Sequence, residues 1–206
     1  MHARIAAFEN RNMSRVDELV ELVRDRQSAG PEMPDALGMY MLVDRVGGKA
    51  LGLSLFASED AIGAAEPVFE RMGDDISEEI RGKRVSVETY EVAIHEVAEG
   101  AAAARVTTFA GDPARIDEGL RAAVQDVLPD ARAIDGWMGI VMLVDRRTGA
   151  ERTITLWQDR AALDASEVAA DELRARAAED AGQRIVSVER YEIPLAFDRA
   201  PRLVTV

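Results

Sequence analysis

Met41-Leu42-Val43-Asp44-Arg45 recurs as Met142-Leu143-Val144-Asp145-Arg146, 101 residues further on. Ser86-Val87-Glu88, followed by Tyr90-Glu91, recurs at the same offset as Ser187-Val188-Glu189, followed by Tyr191-Glu192. Outward from these, Ala3-Arg4 falls on Ala104-Arg105, Phe8 on Phe109, and Leu55-Phe56 on Leu156-Trp157. The first helices match one residue out of step, Arg15-Val16-Asp17-Glu18 against Arg115-Ile116-Asp117-Glu118, as a one-residue loop insertion explains. Chance can repeat one pentapeptide, but a collinear series at one spacing is a duplication, and a missed repeat misreads the whole fold.

Each copy reads as β-α-β-β-α-β. The first strands are Ala3 to Glu9 and Ala104 to Ala110. Ser14 stands where an N-cap belongs, with Asp17 as its capping-box partner, and Val16, Leu19, Val20 and Val23 follow as a helical stripe. In the second copy Asp112 caps, Pro113 suits the first helical position, Ile116, Leu120, Val124 and Val127 form the stripe, and Pro129 falls just past its end. Strands 37–45 and 49–56 flank Val46-Gly47-Gly48, and strands 138–146 and 151–157 flank Arg147-Thr148-Gly149-Ala150, as hairpins. A second helix begins near Ser58, and Pro67 predicts a break in it. Its counterpart reads as a short turn, 159–165, and an unbroken helix, 166–181. Gly82 and Gly182 stop these helices, and strands 84–94 and 185–195 complete the copies. The repeats therefore span 1–97 and 104–197, joined by a small, Ala-rich segment.

The second strands are apolar on both faces: Met39, Met41 and Val43 on one, Tyr40 and Leu42 on the other, with Ile140, Met142 and Val144 against Val141 and Leu143 in the second copy. A strand with one wet face alternates apolar and polar residues. Covering the second face takes several large side chains out of water at about 1.5–3 kcal/mol each. The expectation is that the two sheets pack on each other as one closed α+β barrel, an intramolecular pseudo-dimer. A further homodimer through an exposed edge or the tail 201–206 stays open.

The net charge of −13, from 38 acidic and 25 basic residues, disfavours nucleic acid and anionic membranes. The densest acidic patch, Asp74, Asp75, Glu78 and Glu79, reads as a solvated helix face. There is no cysteine, hence no disulfide, thiolate nucleophile or Cys-based metal site. Neither a signal-peptide pattern nor an apolar run long enough to span a bilayer is present, so a cytoplasmic protein is expected. His2 reads as frayed and His95 as an exposed or hydrogen-bonded strand end. Neither has metal-ligand spacing, and no metal site is expected. Gly47-Gly48-Lys49 lacks the rest of a phosphate loop, and no nucleophile-elbow motif occurs.

Five residues remain as candidate ligand-binding groups: Arg105, Trp157, Trp137, Arg4 and Tyr40. Arg4 and Arg105 recur on the first strands, where an arginine facing a cavity can hold an anion. A salt bridge to Glu91 or Glu192 on a neighbouring strand is the plainer alternative. Trp157 stands where the first copy has Phe56, and Trp137 opens a strand. Both are more often core or interface residues than substrate platforms.

The two-copy layout resembles the dimeric α/β-barrel superfamily of ferredoxin-like repeats. Thr155-Leu156-Trp157-Gln158-Asp159-Arg160-Ala161-Ala162-Leu163 is similar to the strand-to-helix stretch of antibiotic-biosynthesis-monooxygenase-like domains, and Leu55-Phe56-Ala57-Ser58-Glu59-Asp60-Ala61-Ile62 is a weaker version. The resemblance implies an α+β fold of two such repeats packed sheet to sheet, on which cofactor-independent monooxygenases, haem-degrading enzymes and isomerases are all built. Where many such domains carry a His after the tryptophan stretch, this chain has Ser166 and Ala65. The Asn and axial His of haem-degrading relatives have no match, since Asn10 and Asn12 follow strand one and no helix carries His. The expectation is a small apolar molecule as partner, no cofactor, and either cofactor-free oxygenation of an aromatic substrate or binding without turnover. The second copy, around Trp157 and Arg105, is the first place to look.

Overall fold

Asp44 and Asp145 close the two hairpins. Asp44 Oδ1 accepts the N–H groups of Val46 and Gly47, and Asp145 Oδ1 those of Arg147 and Thr148, so each carboxylate builds the turn that its position in the repeated pentapeptide announces. The computed structural model describes residues 1–9, 12–29 and 35–204, excepting the side chains of 26–29. The first repeat contains β1 (His2–Glu9), α1 (Val16–Ala29), β2 (Ala36–Asp44), β3 (Lys49–Phe56), α2 (Glu59–Asp74), α3 (Glu78–Arg81) and β4 (Lys83–Val97). The second contains β5 (Ala103–Ala110), α4 (Ile116–Ala122), α5 (Leu128–Arg132), β6 (Trp137–Asp145), β7 (Ala150–Trp157), α6 (Arg160–Ala165), α7 (Glu167–Ala181), β8 (Arg184–Asp198) and the short β9 (Leu203–Val204).

The fourth strand of each repeat runs 15 residues, longer than its sequence pattern suggests. One compact unit comprises Met1–Thr89 with Glu192–Ala200, the other Tyr90–Tyr191 with Pro201–Val206. Each repeat's last strand thus gives its first half to one unit and its second half to the other. In the first unit the strand order is β4-β1-β3-β2-β8, with Met39 opposite Phe197 and Met41 opposite Leu195. In the second it is β8-β5-β7-β6-β4-β9, with Val92 opposite Leu143 and His95 opposite both Val141 and Leu203. The repeated Arg45 and Arg146 fasten these arrivals: Arg45 bridges Asp17 and Glu192, and Arg146 bridges Asp117 and Glu91.

The first helical stripe is buried as read, Val16, Leu19, Val20 and Val23 in α1, but of the second only Ile116 and Leu120 in α4 are, while Val124 and Val127 are half-buried in the turn that follows. Several local expectations need correction. Asn12, not Ser14, caps the first helical segment, its Oδ1 accepting the Ser14 N–H, because a 3-10 turn at Met13–Arg15 precedes α1. Pro67 lies within an unbroken α2. It forfeits one hydrogen bond, while Ile62, Ala65, Val68, Phe69 and Met72 pack in one cluster with Phe56 and offset that loss. Pro129 lies inside α5, and the turn before it, Ala123–Val127, is a π-helix in which the Leu128 N–H reaches Ala123 O. A proline cannot serve the carbonyl four residues back, and one wide turn absorbs the misfit. His2 is part of β1, paired opposite Phe56, rather than frayed. His95 is buried, its Nδ1 3.2 Å from Pro201 O, so the hydrogen-bonded reading holds and the exposed one does not. The acidic residues Asp74, Asp75, Glu78 and Glu79 are exposed. No helix among the described residues is long and apolar enough to cross a membrane.

Candidate functional site

On β5 and β7, Arg105 stands opposite Thr155, Thr107 opposite Thr153, and Phe109 opposite Glu151, while β6 sets Trp137 opposite Trp157. Alternation along each strand puts these side chains on one face. That face lines a cavity of about 90 Å³ in the second unit. The other walls come from the π-turn residues Ala123 and Val127, from Leu128 and Ala131 of α5, and from Leu173, Arg174 and Ala177 of α7. The space exceeds what one water needs. Gly139, at φ +150°, makes the β6 bulge that brings Trp137 to the level of Trp157. A Cβ there would lie 2.4 Å from Glu96 O.

Arg105 is 2% exposed. Its Nη2 donates to Leu163 O at 2.9 Å, to Glu167 Oε2 at 3.0 Å and to Ser166 Oγ at 3.1 Å. The guanidinium carbon lies 5.3 Å from the centre of the Trp157 ring. Among the described residues its Nε and Nη1 have no hydrogen-bond partner, nor do Trp137 Nε1 and Arg174 Nε, which line the same cavity. A buried N–H left unsatisfied costs about 1–3 kcal/mol, so four donors without a protein partner on one cavity's lining call for water or a ligand as acceptor. Trp157 is satisfied differently, its indole N–H donating to Thr155 Oγ1 at 3.1 Å.

Glu167, at the start of α7, gathers three arginines. Arg190 Nη2 lies 2.5 Å and Arg174 Nη2 3.5 Å from Oε1, and Arg105 binds Oε2. Hydrogen bonds from Arg190 first and Arg105 next hold its carboxyl down at about 2, against the pull of partial burial. Burial, together with the like charges of Arg174 and Arg190, pushes the Arg105 guanidinium below its ordinary value despite Glu167. At the other end of the cavity Glu151 is buried, and burial raises its carboxyl above the usual range, although Gln183 Nε2 donates at 2.8 Å and Thr153 Oγ1 at 2.9 Å. A proton held there can be passed to or taken from a bound molecule.

The first unit has a cavity of its own, about 450 Å³, lined by Arg4, Tyr40, Phe69 and Ser54 among others. Its arginine is engaged. Arg4 Nε and Nη2 both bind the Glu66 carboxylate, at 2.7 and 3.3 Å, with the Phe69 ring 4.0 Å from the guanidinium carbon. Tyr40 donates to Asp198, and burial, helped by that carboxylate, raises its phenol.

The candidate residues therefore divide: Arg105, Trp157 and Trp137 meet at one cavity, Arg4 and Tyr40 at another. The expected partners of the two arginines were misplaced. Glu192 and Glu91 bind Arg45 and Arg146 instead, and the first-strand arginines reach helix residues Glu66 and Glu167. Those two glutamates share the repeat offset, a signal the sequence carries. Ser166, Glu151 and Arg174 announce themselves by no motif.

No protein-family model matches the chain. Two uncharacterised proteins of Mycobacterium tuberculosis are similar to it. One is 27% identical over 84% of this chain and 78% of its own length, the other 26% identical over 99% and 88%. Among solved structures, an anthrone oxidase-like protein superposes with a TM-score of 0.67 at 14% identity, covering 100% of this chain and 96% of its own. A haem-degrading enzyme from Listeria monocytogenes gives 0.53 at 8% identity, covering 93% and 99%. These likenesses establish the fold: ferredoxin-like repeats in tandem, of the α/β-barrel type built by monooxygenase-like proteins. Haem does not fit the second-unit cavity. The residues lining it include no His, Cys or Tyr, and 90 Å³ cannot hold the macrocycle.

Proposed function

We propose, from the tandem ferredoxin-like α/β-barrel fold and the second-unit cavity it frames, that this protein binds a small, largely apolar aromatic molecule. We further propose that it acts on that molecule as a monooxygenase-like enzyme without a bound cofactor. The observation that carries this reading is a buried arginine that lines a mostly apolar cavity with two tryptophans, and whose Nε and Nη1 have no partner among the described residues. Pockets of that composition fix small ligands by a few placed polar groups. The similarity to an anthrone oxidase-like protein supports the reaction class.

The chemistry asks little redox equipment of the chain. A substrate with an acidic C–H or O–H beside an aromatic carbonyl gives up a proton, and the resulting carbanion reduces dioxygen. One oxygen atom stays on the carbon as a carbonyl and the other leaves as water, which carries off the proton first removed and the second hydrogen of that carbon. Glu151, whose proton affinity burial has raised, is the group placed to handle the proton. Arg105 and Trp137 are the donors for an oxygen on which negative charge collects. The apolar walls keep bulk water from the intermediate.

Tryptophan emission tests the binding half cleanly, because the chain's two tryptophans both line this cavity. Titration with 1-indanone is expected to change that emission saturably, and the equally compact 1,3-indandione is expected to be oxidised at its CH2 with one dioxygen consumed per trione formed. Binding without oxygen uptake would leave a ligand-binding protein of the same fold. No emission change with either compound would contradict the reading.

A further inference from the structure

Three arginines, Arg105, Arg174 and Arg190, converge on the Glu167 carboxylate, and Asp171 adds a second carboxylate on Arg174. Three positive charges against two negative leave one positive charge without a partner in the cluster. The nearby Asp164 does not cancel it, being held at 2.9 Å by Arg160 in an exposed pair. Arg190, 34% exposed, meets water on its side of the cluster, while the buried part of the positive charge lies at the cavity. Arg105 and Arg174 are both more than nine-tenths buried and both line the space. The unpartnered N–H groups, Nε and Nη1 of Arg105, Nε of Arg174 and Nε1 of Trp137, belong to the same walls.

Resting on the reading of this cavity as a small-molecule site, we infer that its ligand is a monoanion: a compact aromatic carrying one carboxylate or phenolate oxyanion. The anion seats at the Arg105–Trp137 end, with the ring against Trp157. The charge count asks for one negative charge, and a second would lack a counterpart. The donor chemistry asks for an acceptor with several lone pairs, because guanidinium and indole N–H groups can only give. Charge-assisted hydrogen bonds are about twice as strong as neutral ones, and desolvation inside the walls strengthens them further. A neutral aromatic amide of the same shape offers one weaker acceptor, adds donors of its own, and leaves the surplus charge uncompensated. The walls beyond the donors are mostly apolar, with Ile134, Ile140, Val127, Leu128 and Leu173 among them, which suits a ring, while Thr107, Thr153, Glu151 and Gln183 add a polar part to the lining. The first unit lacks this deficit, since Arg4 spends two nitrogens on Glu66.

The test compares benzoate with its neutral isostere benzamide by tryptophan emission on the intact protein. Benzoate is expected to bind at least tenfold more tightly, and Arg105→Gln is expected to abolish that preference while Arg4→Gln leaves it intact. Equal affinity for the two probes in the wild-type protein, or tighter binding of benzamide, overturns the monoanion and leaves the small-molecule site standing. Silence from both probes removes the site, and the inference with it. The wild-type comparison decides even where Arg105→Gln fails to fold.

Discussion

Arg4 and Arg105 occupy the same position in two copies of one unit, are equally buried, and have been put to different use. Arg4 is closed off, two of its nitrogens on one glutamate and Phe69 packed over it. Arg105 crowds three acceptors onto a single nitrogen, and among the described residues the other two have no partner on a side chain that lines a cavity. The substitutions around them run the same way. Where the first copy has Ala36, Ala50 and Phe56, the second has Trp137, Glu151 and Trp157. The lesson is that a buried charge alone does not mark a site. What marks it is whether neighbouring groups have used up the donors.

The largest expected effect separates the two glutamates. Glu167→Gln should cost about 3 kcal/mol, because it strips the counter-charge from the buried Arg105 and from two further arginines. Glu66→Gln should cost less, about 1–2 kcal/mol, because one arginine rather than three loses its counter-charge and Arg4 retains Phe69. Urea denaturation of the two variants measures the difference, and equal losses would break the comparison. Next come the bulge glycines. Gly139→Ala forces a Cβ against backbone at an unfavourable φ and should cost about 2–3 kcal/mol. Gly38→Ala meets its nearest atoms at 3.2 Å, has no such φ, and should cost about 1 kcal/mol. Thermal unfolding ranks them.

Acidity sharpens the same contrast. The folded protein holds the Glu151 proton more firmly than the unfolded chain, whose value is near 4.5. Stability owed to this group is therefore complete below 4.5 and drains away as pH rises toward the folded value. Glu167 has the opposite sign: lowered to about 2, it stabilises above 4.5 and loses that contribution as pH falls toward 2. Glu151→Gln should thus gain on the wild type as pH climbs from 4.5, and Glu167→Gln should approach it as pH drops below 4.5. Denaturation midpoints at stepped pH check both slopes. The smallest effect is at Thr155→Ala, which orphans the Trp157 indole and should cost about 1 kcal/mol. The loss should come with a shift in tryptophan emission.

Much of the architecture is legible in the residues, because duplication prints itself as a constant offset and hairpins carry their turn chemistry locally. The stripes of α1 and α4 and the stops at Gly82 and Gly182 are equally local. The exchange of strand halves is not legible. Alternation along β4 and β8 fixes which side chains face the core but says nothing of which strand lies alongside. Pro67 misleads because proline's penalty is local and the packing that outweighs it is not, and Pro129 because a π-turn restarts the helix just before it, at a position proline tolerates. Of the site, Arg105, Trp137 and Trp157 stand out as rare residue types. Glu151 and Arg174 do not, since one acid among 38 and one arginine on a charged helix have no distinguishing neighbours in sequence. Glu167 lay hidden 62 residues from Arg105, though its match with Glu66 at the repeat offset pointed to it.

The central claim is that the second unit's donors are open and wait for a ligand. The indole N–H signals in a 1H–15N spectrum test it directly, since the chain has only Trp137 and Trp157 to supply them. On titration with benzoate the Trp137 signal should move downfield and saturate, while Trp157, already bonded to Thr155, moves little. A ligand that saturates without moving Trp137, or that shifts first-unit resonances instead, would contradict the account.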